Sequence, residues 1–291
     1  MEPNIVLLVL VSAFLHPLWN LLIKKSSDPQ FAFMFLTFTI SACGLIHGLI
    51  VGVDFFAVLD VLPLIAISVF GQLLYGNGLT ATLKRGDLSM YYPIIRASPV
   101  VVVAISVVFL GKSYPLVILL GILLVVCGVF LILYRRGSNF LDNPSALGFA
   151  LLALMGTGLY SLSDAEMMKS ISPQALIFVI DGVIAPIYAL QWYRSRQAGS
   201  AAPRERLSVS TLWSVNTLWL LVPGGICYAS YFLILLAYQL GGDVAAVTAL
   251  RQASILISVA LGGMFLREGA ILRRFAAAAI IVAGIVVIAL N

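Results

Sequence analysis

Ten long apolar stretches recur along this chain, and they constrain its fold more than any other feature of the sequence. A helix needs roughly 20 apolar residues to cross a bilayer, whereas the strands of a membrane barrel are about half as long and alternate apolar with polar residues. The stretches here do not alternate, so they predict an all-α membrane protein. The ten predicted transmembrane helices are 4–23, 31–52, 59–82, 88–110, 115–134, 145–167, 173–193, 214–239, 244–266 and 271–290.

The composition agrees with this fold class. Of the 291 residues, 62% are apolar and only 10% are charged, whereas soluble domains carry about 25% charged residues. The first stretch has neither a basic leader nor a small-residue cleavage site, so we expect a retained helix rather than a signal peptide.

The second half of the sequence repeats the first. A shift of 156 residues places Gly86-Asp87 on Gly242-Asp243, and a shift of 144 residues places Lys25-Ser26 on Lys169-Ser170. The two shifts differ by 12 residues, which fits an insertion within Arg194–Ser210. A duplicated apolar unit in a membrane protein typically builds a transporter around a site between its halves.

Each repeat contains five predicted helices, and this odd number determines how the halves are related. The second repeat enters the membrane from the opposite side, so the two are predicted to be inverted repeats about a pseudo-two-fold axis in the membrane plane. We expect the first repeat over 1–140 and the second over 141–291, together forming one transmembrane domain.

The lysines and arginines are concentrated in alternate loops. The loops after predicted helices 1, 3, 5, 7 and 9 hold 13 of the 17 lysines and arginines, and basic loops stay in the cytoplasm. Both termini are therefore predicted to lie outside. The net charge of +5 then reflects topology and contact with anionic lipid, not nucleic-acid binding. The 13 residues are Lys24, Lys25, Lys84, Arg85, Arg135, Arg136, Arg194, Arg196, Arg204, Arg206, Arg267, Arg273 and Arg274.

Several kinds of chemistry have no signature in the sequence. Cys43, Cys127 and Cys227 lie in apolar stretches without metal-ligand spacing, so we expect them to be packing residues. There is no phosphate-binding loop, no metal-spaced His/Cys set and no nucleophile elbow. We therefore expect no enzyme, no metal and no cofactor, and the missing nucleotide-binding module weighs against a primary pump.

Two arginines inside predicted helices are the sharpest functional candidates. Arg96 and Arg251 lie eight or nine residues into their helices, about 12 Å deep, where a charge costs about 3 kcal/mol. Each should therefore face a cavity or a partner. Three roles remain open: an ion pair with Asp164, Glu166 or Asp181, contact with an anionic group of a substrate, and contact with a lipid phosphate.

The first helix of each repeat carries a polar pair on one face. His16 and Asn20 are one turn apart beside Trp19, and the 144-residue shift places them on Tyr160 and Asp164. Polar residues that face lipid are penalised, so this coincidence favours a cavity; a packing role for His16 is the alternative. Asp164 is the candidate for a proton-coupling acid, with simple solvation near its helix end as the alternative.

The 156-residue shift adds further candidates for the cavity. It places Tyr75 on Tyr231, both well inside their helices, where an aromatic ring with a polar tip suits an amphipathic cavity. It also places Arg96 on Gln252, so the two arginines are offset by one residue. We therefore expect only one of the arginines to point squarely into the cavity.

The other acidic residues of these helices have simpler explanations. Glu166 lies close to the end of its helix and is expected to pair with Lys169. Asp181 lies nine residues into its helix and is expected to be satisfied by a neighbouring helix, with a proton relay as its weaker alternative role.

At these residues the chain resembles the drug/metabolite transporter superfamily and, within it, the EamA-type carriers. The resemblance covers essentially the whole chain. It rests on the duplicated five-helix unit, on Phe-Leu-Arg-Glu-Gly-Ala-Ile-Leu at the end of predicted helix 9, and on Gly284. The segment His16-Pro17-Leu18-Trp19-Asn20 is similar to a bacterial subgroup that begins His-Ala-x-Trp-Asn.

The resemblance implies a ten-helix carrier of the bacterial inner membrane that works by alternating access. It implies a central cavity lined by helices 1, 3, 4, 6, 8 and 9, with amino acids or drug-like compounds as substrates. Two features depart from the family: Gly111-Lys112 stands where relatives usually have Gly-Glu, and the loop charges place the termini outside, whereas many relatives keep them inside.

The sequence therefore favours a secondary transporter of a small anionic or zwitterionic metabolite, with proton coupling as a further hypothesis. We expect a monomer or homodimer that contacts only its substrate and membrane lipid. An intramembrane enzyme acting on lipid-linked substrates and a scramblase or channel are the alternatives. The repeat argues against the enzyme, because a carrier must present its site to both sides of the membrane.

Overall fold

The computed structural model describes residues 1–23, 29–85, 88–133, 140–198, 219–257 and 271–291, which form helices and no strand. Helices are expected of such apolar segments, because in lipid each must satisfy its own backbone hydrogen bonds. The helices are α1 (Pro3–Ile23), α2 (Pro29–Val51), α3 (Leu62–Arg85), α4 (Leu88–Ile95), α5 (Ser98–Leu110), α6 (Leu116–Leu133), α7 (Pro144–Met167), α8 (Pro173–Ala198), α9 (Leu221–Gln239), α10 (Val244–Leu250) and α11 (Ile271–Leu290). Short 3₁₀ helices at Phe56–Val61 and Phe140–Asp142 precede α3 and α7.

Within the described ranges, seven segments are long and apolar enough to cross a membrane, and three shorter apolar helices accompany them. The prediction of an all-α protein with several membrane spans is therefore confirmed. The seven segments are Pro3–Ile23, Phe31–Val51, Phe56–Thr82, Tyr91–Leu110, Pro144–Met167, Pro173–Ser195 and Leu221–Gln239. The three shorter ones are Leu116–Leu131, Val244–Ile257 and Ala276–Leu290.

Some sequence predictions concern residues outside the described ranges. They include the duplicated Gly86-Asp87, most of the insertion predicted within Arg194–Ser210, and the Phe-Leu-Arg-Glu-Gly motif. The basic residues concerned are Lys24, Lys25, Arg135, Arg136, Arg204, Arg206 and Arg267.

The predicted helix 88–110 is interrupted, which corrects the sequence prediction of one continuous helix. A turn at Arg96 and Ala97 separates α4 from α5. Pro99 explains the break, because it has no N–H to donate to the carbonyl of Ile95 one turn earlier. Arg96 therefore stands at a helix break and not within a regular helix.

The predicted helix 244–266 is interrupted in the same manner, again contrary to the prediction. A turn at Arg251 and Gln252 follows α10, and helix resumes over 253–257. No proline lies at this turn. Instead, the Gln252 N–H donates to the Ala249 carbonyl at 3.0 Å, the tighter three-residue bond of a 3₁₀ turn. Both arginines singled out in the sequence thus occupy helix breaks.

Four extensive helix pairs build the bundle, namely α1 with α9, α3 with α7, α2 with α8, and α6 with α11. Glycine allows the closest approach, as small residues do in membrane helices. At the crossing of α3 and α7, a Cβ on Gly156 would lie 2.5 Å from the carbonyl oxygen of Gly71. Each pair joins a helix from the first half of the chain to one from the second half, so the two halves share one core.

An exposed ion pair links the two halves after α5. Lys112 Nζ lies 3.4 Å from Asp243 Oδ2. The other carboxylate oxygen of Asp243 accepts hydrogen bonds from the backbone N–H groups of Ala245 and Ala246 at 2.9 and 3.1 Å. Asp243 therefore caps the N-terminus of α10 while it pairs with Lys112.

Candidate functional site

A cavity of about 140 Å³ lies inside the bundle, in the half where α1 ends and α2 begins. Its walls come from α1, α2, α3, α7, α8 and α9, and from the turn that follows α10. The lining residues are His16, Trp19, Phe33, Leu36, Thr37, Ile40, Gln72, Tyr75, Tyr160, Asp181, Ile184, Tyr188, Cys227, Ser230, Tyr231 and Arg251.

Six predicted site residues line this cavity: His16, Trp19, Tyr75, Tyr160, Tyr231 and Arg251. Several of their rings contact one another edge to face. The ring centroids of Tyr75 and Tyr160 are 6.2 Å apart, and those of His16 and Trp19 are 5.2 Å apart. The cavity therefore combines aromatic walls with a few polar groups, which is typical of a small-molecule site.

Arg251 is the cation of the cavity. It stands at the turn after α10, and within the described part of the chain its guanidinium makes no hydrogen bond and no ion pair. The ion pair considered from the sequence is therefore not formed with Asp164, Glu166 or Asp181. Glu166 pairs instead with Lys169, as predicted, with Nζ and Oε2 2.6 Å apart.

Arg96 is held by Tyr92, a residue of the preceding helix α4. Its Nε and Nη2 donate to the Tyr92 hydroxyl at 2.9 and 2.6 Å, and its Cζ lies 5.0 Å from the centre of that ring. Nη2 also lies 3.4 Å from Nε2 of His16. Since arginine only donates, His16 must accept through Nε2 and be neutral. Arg96 thus reaches the cavity through His16, whereas Arg251 lines the cavity itself.

Besides Arg96, two predicted substrate-binding residues do not line the cavity, namely Asn20 and Gln252. Asn20 donates from Nδ2 to the carbonyl of His16 at 3.1 Å. Gln252 is 2% exposed and donates from Nε2 to the carbonyl of Thr248 at 3.2 Å. Each side-chain amide donates to the backbone carbonyl four residues earlier. Such a local hydrogen bond competes with contacts to other helices or to the cavity.

Asp164 lies behind the cavity wall. It is 1% exposed, so the alternative of simple solvation at the helix end is wrong. Its carboxylate accepts hydrogen bonds from Ser68 Oγ, at 2.5 Å, and from the Tyr231 hydroxyl. Gln72 Nε2 lies 3.5 Å from that same hydroxyl. A hydrogen-bonded path therefore runs from the cavity, through Gln72 and Tyr231, to a buried acid.

The contributions of α2 and α8 to the cavity wall were not predicted from the sequence. Helix α2 contributes Thr37 among apolar residues, and α8 contributes Asp181, Ile184 and Tyr188. The spacing of these three α8 residues is that of one helix face and could have been recognised. We expected a neighbouring helix to satisfy Asp181, but no described residue hydrogen-bonds its carboxylate.

A reciprocal serine pair bounds the cavity where α1 crosses α9. Ser12 Oγ donates to the Ser230 carbonyl at 2.6 Å, and Ser230 Oγ donates to the Ser12 carbonyl at 3.0 Å. Each hydroxyl donates to the backbone of the opposite helix. The pair therefore fixes the register of α1 against α9 as well as bringing the two helices close together. Ser230 also lines the cavity, so this crossing forms part of its wall.

A cavity that carries a few polar groups between apolar helices of membrane length is the arrangement of a multi-pass membrane protein with an internal site. Residues 3–134 match the model of the EamA-like transporter family. The resemblance to EamA-like transporters inferred from the sequence is therefore confirmed over these residues. The matched segment corresponds to nearly all of the first predicted repeat.

Solved structures extend the likeness to the whole chain. One crystal structure, described simply as that of a protein, has a TM-score of 0.75 and is 19% identical. The similarity covers 100% of this chain and 99% of the other. At this level of identity the likeness concerns the fold alone. No protein of curated function matches the sequence.

Proposed function

We propose that this protein is a secondary transporter, which carries a small anionic or zwitterionic metabolite across the bacterial inner membrane by alternating access. The observation that carries the proposal is Arg251, an arginine that lines a cavity between apolar helices with no hydrogen bond or ion pair among the described residues. An uncompensated charge at this depth is costly, so a ligand of opposite charge explains its retention.

The proposed architecture is ten spanning helices in two inverted five-helix repeats. The helix pairs support it, because α1 with α9 and α3 with α7 each join the first helix of one repeat to the third helix of the other. The pairs α2 with α8 and α6 with α11 join equivalent helices. A pseudo-two-fold axis generates this pattern.

The proposed orientation follows from the loop charges, with both termini outside. The cavity then lies in the cytoplasmic half of the bundle, where α1 ends and α2 begins. This arrangement corresponds to the inward-facing state of an alternating-access cycle.

In the proposed complex, an acidic group of the substrate lies against the guanidinium of Arg251. His16 and Trp19 contribute polar edges, and Tyr75 and Tyr160 form the aromatic wall beside it. Planar guanidinium groups suit carboxylates and phosphates because they donate two parallel hydrogen bonds. Substrate contact for Arg96 is indirect, through the neutral His16.

The proposal is tested with purified protein in liposomes and a panel of radiolabelled organic acids, amino acids and drug-like amines. We expect saturable uptake of an acid or amino acid, with exchange across the membrane when unlabelled substrate is preloaded. Chemical conversion of a substrate in detergent without any gradient would instead indicate an enzyme. Flux that does not saturate would indicate a channel or scramblase.

Proton coupling is proposed at Asp164, since its carboxylate is joined to the cavity wall by the Tyr231 hydroxyl. A proton on Asp164 would change the hydrogen bonding of Tyr231 and, with it, the charge balance near Arg251. We expect Asp164→Asn to fix the acid in a neutral form and to remove the dependence of uptake on external pH. The measurement is initial uptake between pH 5.5 and 8 in liposomes.

The matched control for Asp164 is Glu166→Gln on the same helix. Glu166 is exposed and pairs with Lys169 at 2.6 Å, so its neutral variant should keep the wild-type pH profile. A pH profile that persists in Asp164→Asn would exclude Asp164 as the coupling acid.

A further inference from the structure

Asp181 is a second buried acid, and its surroundings differ from those of Asp164. It lies on α8 and is 6% exposed. Asp164 has its carboxylate satisfied by Ser68 and Tyr231, whereas Asp181 accepts no hydrogen bond from any described residue. An unpaired carboxylate inside a membrane protein is unfavourable, so a ligand that donates a hydrogen bond or carries a positive charge would be bound favourably at Asp181.

Asp181 shares its cavity with Arg251. The two opposite charges do not pair with each other, and neither pairs with another described residue. The cavity therefore presents one cationic and one anionic group at separate positions on its wall. A plain anion would satisfy Arg251 and be repelled by Asp181, whereas a molecule with both charges satisfies the two together.

The size of the cavity and the presence of Tyr188 in its wall further restrict the kinds of ligand that it can hold. A volume of about 140 Å³ corresponds to roughly ten water positions, so the ligand is a small metabolite. Tyr188 lies two turns beyond Asp181 on the same face, with its hydroxyl against Gly76 of α3 and its ring edge to face with Phe33, centroids 5.4 Å apart. An aromatic ring in the wall of a cavity that also contains a carboxylate provides a favourable surface for an ammonium group.

We propose that Asp181 binds the ammonium group of a zwitterionic substrate whose acidic group lies at Arg251. This inference rests on the transporter proposed above and deepens it, because it selects a zwitterion over a simple anion. Asp181 then determines specificity: it rejects organic acids that lack the amino group, since these leave its charge unpaired.

The test uses ligands in sets of three that differ by one charged group. The sets are alanine, propionate and ethylamine; 4-aminobutyrate, butyrate and propylamine; and phenylalanine, 3-phenylpropionate and phenethylamine. Binding to the purified full-length protein is measured by thermal shift and titration. In the wild type, we expect a zwitterion of at least one set to bind about 30-fold more tightly than its deaminated acid.

Variants of Asp181 identify the group responsible for this preference. In Asp181→Asn the advantage of the zwitterion should disappear, and the deaminated acid should bind as well or better. Asp181→Glu, which keeps the charge, should retain the preference. The matched control is Asp60→Asn, which removes a carboxylate exposed at the surface and should bind like the wild type.

The outcomes separate this inference from the transporter proposal. A zwitterion preference that survives in Asp181→Asn, or a wild type that binds the deaminated acids equally well, would overturn the role of Asp181. If the acids alone bind in a manner that depends on Arg251, the transporter proposal stands without it. No binding by any member of the three sets would count against both the role of Asp181 and the transporter proposal. The comparison of ligands on the wild-type protein does not depend on whether any variant folds.

Discussion

The Arg251→Gln variant is expected to bind substrate at least about 30-fold more weakly and to show no saturable uptake in liposomes. Removing one partner of a buried charged contact costs about 2–5 kcal/mol, and about 1.4 kcal/mol is a factor of ten. Glutamine keeps much of the side-chain length and loses the charge and the paired donors. The measurements are titration of the purified variant and initial uptake rates at several substrate concentrations.

Two further arginine variants make this experiment specific. Arg96→Gln should have the smaller effect, because Arg96 is bound to Tyr92 and reaches the cavity only through His16. Arg194→Gln removes a charge from the exposed end of α8 and should resemble the wild type. Unchanged binding and uptake in both Arg96→Gln and Arg251→Gln would refute the role of arginine in substrate recognition.

The Gly156→Ala variant should destabilise the folded protein by about 3 kcal/mol. A Cβ at this position would lie 2.5 Å from the carbonyl oxygen of Gly71 and 2.6 Å from the backbone nitrogen of Tyr75. Because both neighbours are backbone atoms, no side chain can rotate to relieve the contact, so α3 and α7 must separate. The measurement is the thermal unfolding of the purified variant in detergent.

The control for Gly156→Ala lies on the same helix. A Cβ on Gly148 would meet no atom within 4 Å, so Gly148→Ala should be neutral or slightly stabilising. Equal unfolding temperatures for the two variants would show that the crossing of α3 and α7 tolerates a wider spacing. The result also bears on the cavity, because Tyr75 lies in this crossing and lines the cavity wall.

Much of the fold could be predicted because apolar length and charge are local properties of the sequence. The predicted helices 4–23, 145–167 and 271–290 differ from α1, α7 and α11 by one residue or none at their ends. The duplication also identified residues that share a wall, such as Tyr75 and Tyr231. The pairing of Tyr75 with Tyr231 depends on symmetry, which relates one position to another without any knowledge of packing.

The rest of the site depends on how each helix is rotated, which an apolar sequence does not encode locally. The spacing of Asp181, Ile184 and Tyr188 indicates a common face of α8, but only the packing of α8 against α2 and α3 reveals that this face lines the cavity. The turn at Arg251 has no proline or glycine to mark it. Asn20 and Gln252 were assigned to the cavity from the repeat, through the pairs Asn20/Asp164 and Arg96/Gln252, yet each bonds the preceding turn of its own helix.

The shortness of α10 has a mechanical consequence. The helix has seven residues, about 10 Å in length. Asp243 caps its first turn and holds Lys112 in an exposed ion pair, and Arg251 follows its last residue. A helix of two turns does not flex internally, so Arg251 and Asp243 move as one rigid body. A movement of α10 that carries Arg251 toward a bound anion therefore also displaces the ion pair that joins the two halves after α5.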